Sequence, residues 1–238
     1  MKANGIILAI TSMLFISCNE KTNTSTTETN PTVKTNTKEI GSCFEKYQED
    51  YSKLLTLEDI KKHVKIDNEV KTDELKYRKL HQSYEYKWFD GRMQEIKTGG
   101  MTLTVEDPNY VKLSNVKIRE GKSEEILEKF DIQYRKLGDK ELQKMKANIE
   151  NHYKDKPKEK ETAIGFLETR NNMIFTEVKG LGTKAYWKEI SKTNNYGVEL
   201  YVLYDNVEFK IDTKTTNDNA VNSQTAIALA KEILSKCN

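Results

Sequence analysis

The residues that come nearest to a known chemistry lie between Met173 and Asp205, MIFTEVKGLGTKAYWKEISKTNNYGVELYVLYD. An apolar run leads into Gly180, Gly182 and Ala185 in a G-x-G-x-x-A pattern, and Asp205 closes the next apolar run about twenty positions on, the layout of a dinucleotide-binding loop. That chemistry needs a helix of about ten residues or more starting at the glycines, because the pyrophosphate rests on the helix N-terminus. Here the run from Ala185 is interrupted by Thr193, Asn194, Asn195 and Gly197, too early to recross a sheet. Val198, Leu200, Val202 and Tyr204 then alternate with Glu199, Tyr201, Leu203 and Asp205, which predicts a half-exposed antiparallel strand, and Asp205-Asn206 turns straight into Val207, Phe209 and Ile211. The stretch therefore reads as a hairpin, with Asp205 in its turn and no nucleotide cofactor. The glycines supply tight or positive-φ backbone, and Ala185 permits close packing.

Other chemistry is as hard to place. The sequence has no G-x-S-x-G, H-E-x-x-H, P-loop or C-x-x-C motif. His63, His81 and His152 are scattered without ligand spacing, so no metal is expected. The paired carboxylates Glu58-Asp59 and Glu124-Glu125 sit where helices are predicted to start, and the positive end of the helix dipole accounts for them. No catalytic residue is assigned, and a binding role is expected rather than an enzymatic one.

The address of the chain is easier to read than its activity. MKANGIILAITSMLFISC has a basic start, an apolar run from Gly5 to Ile16 and small Ser17 before Cys18, a signal peptide over 1–17 rather than a membrane helix. FISC resembles the lipobox of bacterial lipoproteins, with Phe15 in place of the usual leucine, and implies cleavage before Cys18 and acylation of its thiol and new amino terminus. More than one acyl chain makes such anchoring stable. Residues 18–41, rich in Thr and Asn, have too little apolar content to fold alone and read as a tether. The polar start at Glu20 is similar to surface-export signals of Bacteroidetes lipoproteins. The expected location is the cell envelope, at the outer membrane, with the leaflet left open.

Of the three cysteines, Cys43 and Cys237 remain once Cys18 is assigned to lipid. In a disulfide-permissive compartment these are candidates for a bond between the two ends of the folded part. The formal net charge of +2 falls by one when Lys2 leaves with the signal peptide, and charges are interspersed, as in KDKPKEKE from Lys154 to Glu161. No basic face is evident, so nucleic acid is not an expected partner.

Residues 42–238 are expected to form a single domain. FEKYQEDYSKLL has Phe44, Tyr47, Tyr51, Leu54 and Leu55 at helical spacing, and Thr56 caps LEDIKKHVKI with Asp59 at the capping-box position. Period-two alternation follows in HQSYEYKWFDGR, MTLTVEDP and YVKLSNVKI, with Asp90-Gly91 as a turn. SEEILEKFDIQYRKLG, ending at Gly138, and DKELQKMKANIENHY read as helices, then NNMIFTEVK, KAYWKEI, GVELYVLYD and NVEFKIDTK as strands. NSQTAIALAKEILSKC closes the chain as a helix with Ala226, Ile227, Ala230, Ile233, Leu234 and Cys237 on one face. The order predicts an α+β domain, an antiparallel sheet covered by helices on one face, and two helix-then-strands halves hint at duplication. Residues 173–236 resemble the C-terminal half of certain small bacterial lipoproteins of unassigned role, some of them PsbP-like in fold, which implies a fold and an envelope location and assigns no site residues.

Aromatic residues are the remaining lead, with twelve Tyr, seven Phe and two Trp concentrated on the expected strands. Most must fill the core. Those on the other faces, drawn from Trp88, Phe89, Trp187 and Tyr201, are the candidate binding patch. The expected function is a lipid-anchored envelope module that binds a protein, of the toxin-immunity or inhibitor kind. The alternative is a small-ligand or sensory domain with a pocket lined by Trp88, Trp187 and nearby tyrosines, and a hydrolase without a motif is the least supported reading.

Overall fold

The computed structural model describes residues 37–190 and 196–237. In chain order it contains α1 (Thr37–Glu45), α2 (Tyr51–Leu54), α3 (Leu57–Lys61), β1 (Lys71–Tyr77), β2 (Leu80–Trp88), β3 (Met93–Thr98), β4 (Met101–Glu106) and β5 (Asn109–Ile118). Then follow α4 (Ser123–Tyr134), α5 (Asp139–His152), α6 (Pro157–Asn171), β6 (Thr176–Glu177), β7 (Lys184–Glu189), β8 (Val198–Tyr204), β9 (Val207–Lys214) and α7 (Asn219–Ser235). Among the described residues, 37–136 together with 173–190 and 196–237 form one compact unit and 137–172 another.

In the larger unit seven strands make an antiparallel sheet in the order β1-β2-β5-β9-β8-β7-β6, and β3 pairs with β4 in a separate two-stranded ribbon. Alternation along β8 and β7 sends Val198, Leu200, Val202 and Ala185 to one face, where Phe44, Leu54, Leu55, Ile60, Leu229 and Ile233 from α1, α2, α3 and α7 bury them. This is the α+β arrangement the sequence predicts. The out-of-phase residues Tyr186 and Leu203 meet Ile126, Phe130 and Tyr134 of α4, a smaller apolar contact on the other face.

Local chemistry fixes the ends of these elements. Thr56 and Asp59 form the expected capping box, the Asp59 amide donating to Thr56 Oγ1 at 3.1 Å and the Thr56 amide to Asp59 Oδ2 at 3.1 Å. Asp218 caps α7 by accepting from the Ala220 amide at 2.7 Å. Cys43 and Cys237 form a disulfide that ties α1 to the turn just past the end of α7 across a sequence separation of 194.

The glycine loop is a bend between strands. Gly180 and Gly182 have φ of +73° and +59°, and a Cβ on Gly182 would stand 2.6 Å from the Leu203 carbonyl oxygen, so only glycine fits against β8 there. The residues after the loop are β7, and Asp205 (φ +56°) occupies the β8–β9 turn. Thr193 to Asn195, which interrupt a nucleotide-binding helix in the sequence reading, lie outside the described residues.

Several elements differ from the sequence reading. Ile40 is buried in the core, so the folded region begins inside the segment read as tether. FEKYQEDYSKLL is broken by turns between α1 and α2. β1 and β3 form in stretches without a clear apolar face, and α6 starts at Pro157 within the charge run, proline being suited to a first helical position. Gly138 starts α5 rather than ending α4, its amide donating to Glu141 Oε2 at 3.0 Å. Within the smaller unit α5 packs on α6, with Lys146 paired to Glu168 and the Leu137 amide donating to Asn171 Oδ1 at 2.8 Å.

Candidate functional site

The aromatic patch expected from the sequence does not assemble. Trp88 is 3% exposed and belongs to the helix-covered core, and Trp187 is half-buried against the same core. Tyr201 lies on the opposite face of the sheet, stacked on Tyr134 with ring centroids 4.3 Å apart. Phe89 is half-buried beyond the end of β2, its carbonyl accepting from Asn68 Nδ2. Alternation is the reason: β8 and β7 send neighbouring aromatics to different faces, so these four side chains cannot share one surface. The pocket expected around Trp88 and Trp187 is likewise filled by core. Cys18 lies outside the described residues.

The face of the sheet that carries Tyr201 is charged. Lys188, Glu199, Asp212, Lys112 and Glu85 stand in register across β7, β8, β9, β5 and β2. Lys188 pairs with Glu199, Lys210 Nζ lies 3.2 Å from Glu199 Oε1 and 3.0 Å from Asp212 Oδ1, and Tyr201 donates to Glu199 Oε2 at 2.7 Å. Burial pushes the Glu199 carboxyl up, but the bond from Lys188 and the charge of Lys210 outweigh it and hold the group below its ordinary range. Asp212 is more deeply buried and is raised by that burial, which Lys210 offsets only in part. Burial, then the charge of Glu199, keeps the Tyr201 phenol protonated as a donor. Two cations and two carboxylates neutralise one another here, which is the pattern of a structural network rather than of a nucleophile held beside a base.

A recess of about 350 Å³ opens elsewhere on the larger unit, where β5 bulges. The β5–β9 register shifts between Ser114 and Lys117, with Asn115 at φ +56°. Tyr51 Oη holds the bulge by accepting from the Val116 amide at 3.2 Å. His81, at the start of β2, lines the recess together with Gln48, Gln82, Asn115, Lys117 and Arg119. Its Nδ1 accepts from the Tyr51 amide at 3.0 Å, so the neutral ring carries its proton on Nε2. That Nε2 is buried and makes no hydrogen bond, and the nearest carboxylate oxygen, Glu74 Oε2, is 3.4 Å away. Burial, then the charge of Lys76, lowers the His81 pKa against the opposing pull of Glu74 and Asp50. A ring held this way has no free lone pair with which to take a proton; it can only donate.

Sequence reasoning set His81 aside with the other histidines, because its placement depends on a bulge that no local pattern announces. His63 instead sits 3.0 Å from Glu232 Oε1, and His152 packs its ring on Tyr153. No cluster of three metal-ligating side chains occurs among the described residues.

The β3–β4 ribbon is the third feature. Its register puts Ile96 opposite Leu103, Gln94 opposite Val105 and Thr98 opposite Met101, so one face is largely apolar, while Glu95, Thr104, Lys97, Thr102, Glu106 and the exposed Met93 make up the other. Ile96 is 43%, Leu103 46% and Met101 62% exposed. Arg92 fixes the base of the ribbon through Asp90, Asn109 and Asn217. The ribbon leaves the sheet between Trp88 and Asn109, whereas α1 lies at the other end of β5, with Gly41 against Ile118 and Asn206. The end bearing the ribbon is therefore the one away from α1. No protein-family model, curated protein or solved structure matches this chain.

Proposed function

We propose that this chain is a lipid-anchored protein of the bacterial cell envelope that acts by binding a protein partner through the β3–β4 ribbon. The exposed apolar face of that ribbon carries the reading, because a two-stranded ribbon is marginal alone and gains from being covered. Six residues per strand span about 20 Å and present a face far short of the ~800 Å² per side of a stable interface. The partner must therefore also use the open edges of the ribbon, adding a strand through main-chain hydrogen bonds. An incoming toxin or an enzyme to be inhibited is the kind of partner the size and address favour.

The anchoring half of the proposal rests on the lipobox-like FISC. The Cys43–Cys237 disulfide supports it, since it suits an oxidising compartment and leaves Cys18 as the one cysteine outside the bond. The test is site-specific photocrosslinking in intact producing cells. A benzophenone side chain at Ile96 or Leu103 should trap a discrete adduct, and one at Glu95 or Lys97 on the other face should not. Equal trapping from both faces, or none from Ile96 and Leu103, contradicts the proposal. A second reading, binding of a small ligand, is favoured by the recess at His81.

A further inference from the structure

We infer that the open edge of β4 pairs with the β4 edge of a second copy of this chain, antiparallel and centred on Leu103, joining two ribbons into one four-stranded sheet. The inference rests on the same exposed ribbon as the proposed partner site and goes beyond it, since the edge a partner needs is then held by a second copy until the partner displaces it. Each strand of the ribbon has one open edge, and the two edges differ. β3 carries Glu95 and Lys97, charges of the kind by which natural sheets discourage pairing, whereas Met101 to Val105 of β4 read MTLTV with no charge, proline or bulge. The β4 edge also turns the right groups outward. Gly99 and Gly100, at φ +56° and +81°, make a two-residue turn whose closing pair Thr98–Met101 exchanges both ladder bonds. Alternation then places the further bonds of the ribbon at Ile96–Leu103 and Gln94–Val105 and points the amides and carbonyls of Thr102 and Thr104 to the open side.

The pattern of this edge is palindromic about Leu103, which is what selects a second copy as its occupant. A two-fold pair needs a surface that complements itself. Centred on Leu103, the pair sets Thr102 opposite Thr104 of the second copy, the residues whose main-chain groups point across, and such threonine pairs are favourable. Met101 falls opposite Val105 and Leu103 opposite its own counterpart, on the face that already carries Ile96. Moving the centre by one residue sets Met101 opposite Asp107 or Val105 opposite Gly99. Gly100 falls opposite Glu106, so the tip that meets the base of the other ribbon carries no side chain. One added strand falls well short of the ~800 Å² per side of a stable complex, so the pair is weak in solution, and copies held on one membrane would meet at a far higher effective concentration.

The experiment is disulfide trapping in the purified full chain carrying Cys18→Ser, in which an introduced cysteine is the one free thiol beside the Cys43–Cys237 bond. Facing residues of a non-hydrogen-bonded antiparallel pair stand about 4.5 Å apart at Cα, within the span of a disulfide. Under mild oxidation Leu103→Cys should form a covalent dimer by itself. Met101→Cys and Val105→Cys should link when mixed and lose that linkage when separate, each then lying out of register with its own counterpart. Ile96→Cys, opposite Leu103 inside the ribbon, should not link. In the Leu103→Cys chain, Thr102→Glu with Thr104→Glu sets carboxylate opposite carboxylate and should slow linkage about fivefold or more, while Thr102→Glu with Thr104→Lys sets opposite charges and should keep it. Both threonines are exposed, so these variants keep the fold. No dimer from Leu103→Cys, linkage of Ile96→Cys at the same rate, no preference for the mixed pair, or equal rates in the two charged variants overturns the pair. The trap needs neither acylation of Cys18 nor a different partner, so its failure is separable from theirs.

Discussion

Replacing both Cys43 and Cys237 by serine should lower stability through the unfolded chain far more than through the folded one. The bond closes a loop with a sequence separation of 194, and the chain-entropy relation for a loop of this length gives about 5 kcal/mol at 25 °C as an upper limit. The folded contacts around it do not depend on it. Lys236 Nζ donates to the Leu54 carbonyl at 3.0 Å and to Asp59 Oδ2 at 2.6 Å, and Phe44 stacks on Phe209 with ring centroids 6.2 Å apart. For a chain of this size about 2–4 °C accompanies each kcal/mol, so the double variant should melt about 10–20 °C lower with its circular dichroism unchanged below the transition. Calorimetry is the assay, because comparing calorimetric with van't Hoff enthalpy shows whether the two compact units melt together. A melting point within a few degrees of the native one would refute the reasoning. So would loss of the folded spectrum before heating.

Two further substitutions test the packing argument. Asp59 is a buried hub between α3 and α7: burial alone would raise its carboxyl, but the bonds from Lys236 and Thr56 hold it far below its ordinary value. Its stabilisation is therefore present above about pH 4, where the unfolded group is ionised, and fades as pH falls toward the folded pKa. Asp59→Asn should cost about 2–3 kcal/mol by urea unfolding at pH 7 and progressively less below pH 4, and a cost that does not change with pH would contradict this. Gly182→Ala drives a Cβ to 2.6 Å from the Leu203 carbonyl oxygen, while Gly180→Ala meets nothing within 4 Å. Both pay the positive-φ penalty of about 1 kcal/mol, but only the first should lose roughly 1–3 kcal/mol more, and equal losses would sink the close-approach explanation.

What the sequence discloses and what it hides follow from where each element gets its stability. The closing helix α7 was legible because Ala226, Ala230, Ile233 and Leu234 are all buried on one side, and the Thr56–Asp59 box because it is made within four residues. Parity of the cysteines pointed to the bond that forms. β1 was hidden because every one of its residues is exposed: KTDELKY becomes a strand by pairing with the edge of β2, and charge along an open edge guards it against other chains. β3 was hidden for a similar reason: its two apolar residues, Met93 and Ile96, fall on opposite faces, and only the pairing with β4 supplies Leu103, Val105 and Met101 beside Ile96. The recess was illegible because it arises where the β5–β9 register slips, which brings His81 of β2 beside residues more than thirty positions away. The aromatic patch failed because counting aromatics ignores which face of a pleated strand each one takes.

The account as a whole depends on the chain being held at a membrane by acyl groups on Cys18. Metabolic labelling of producing cells with an alkyne fatty acid, followed by recovery of the protein, measures this directly. The account predicts that the native chain takes up label and fractionates with the envelope, and that Cys18→Ala loses both. A native chain that stays unlabelled, or a Cys18→Ala chain labelled to the same extent, contradicts it.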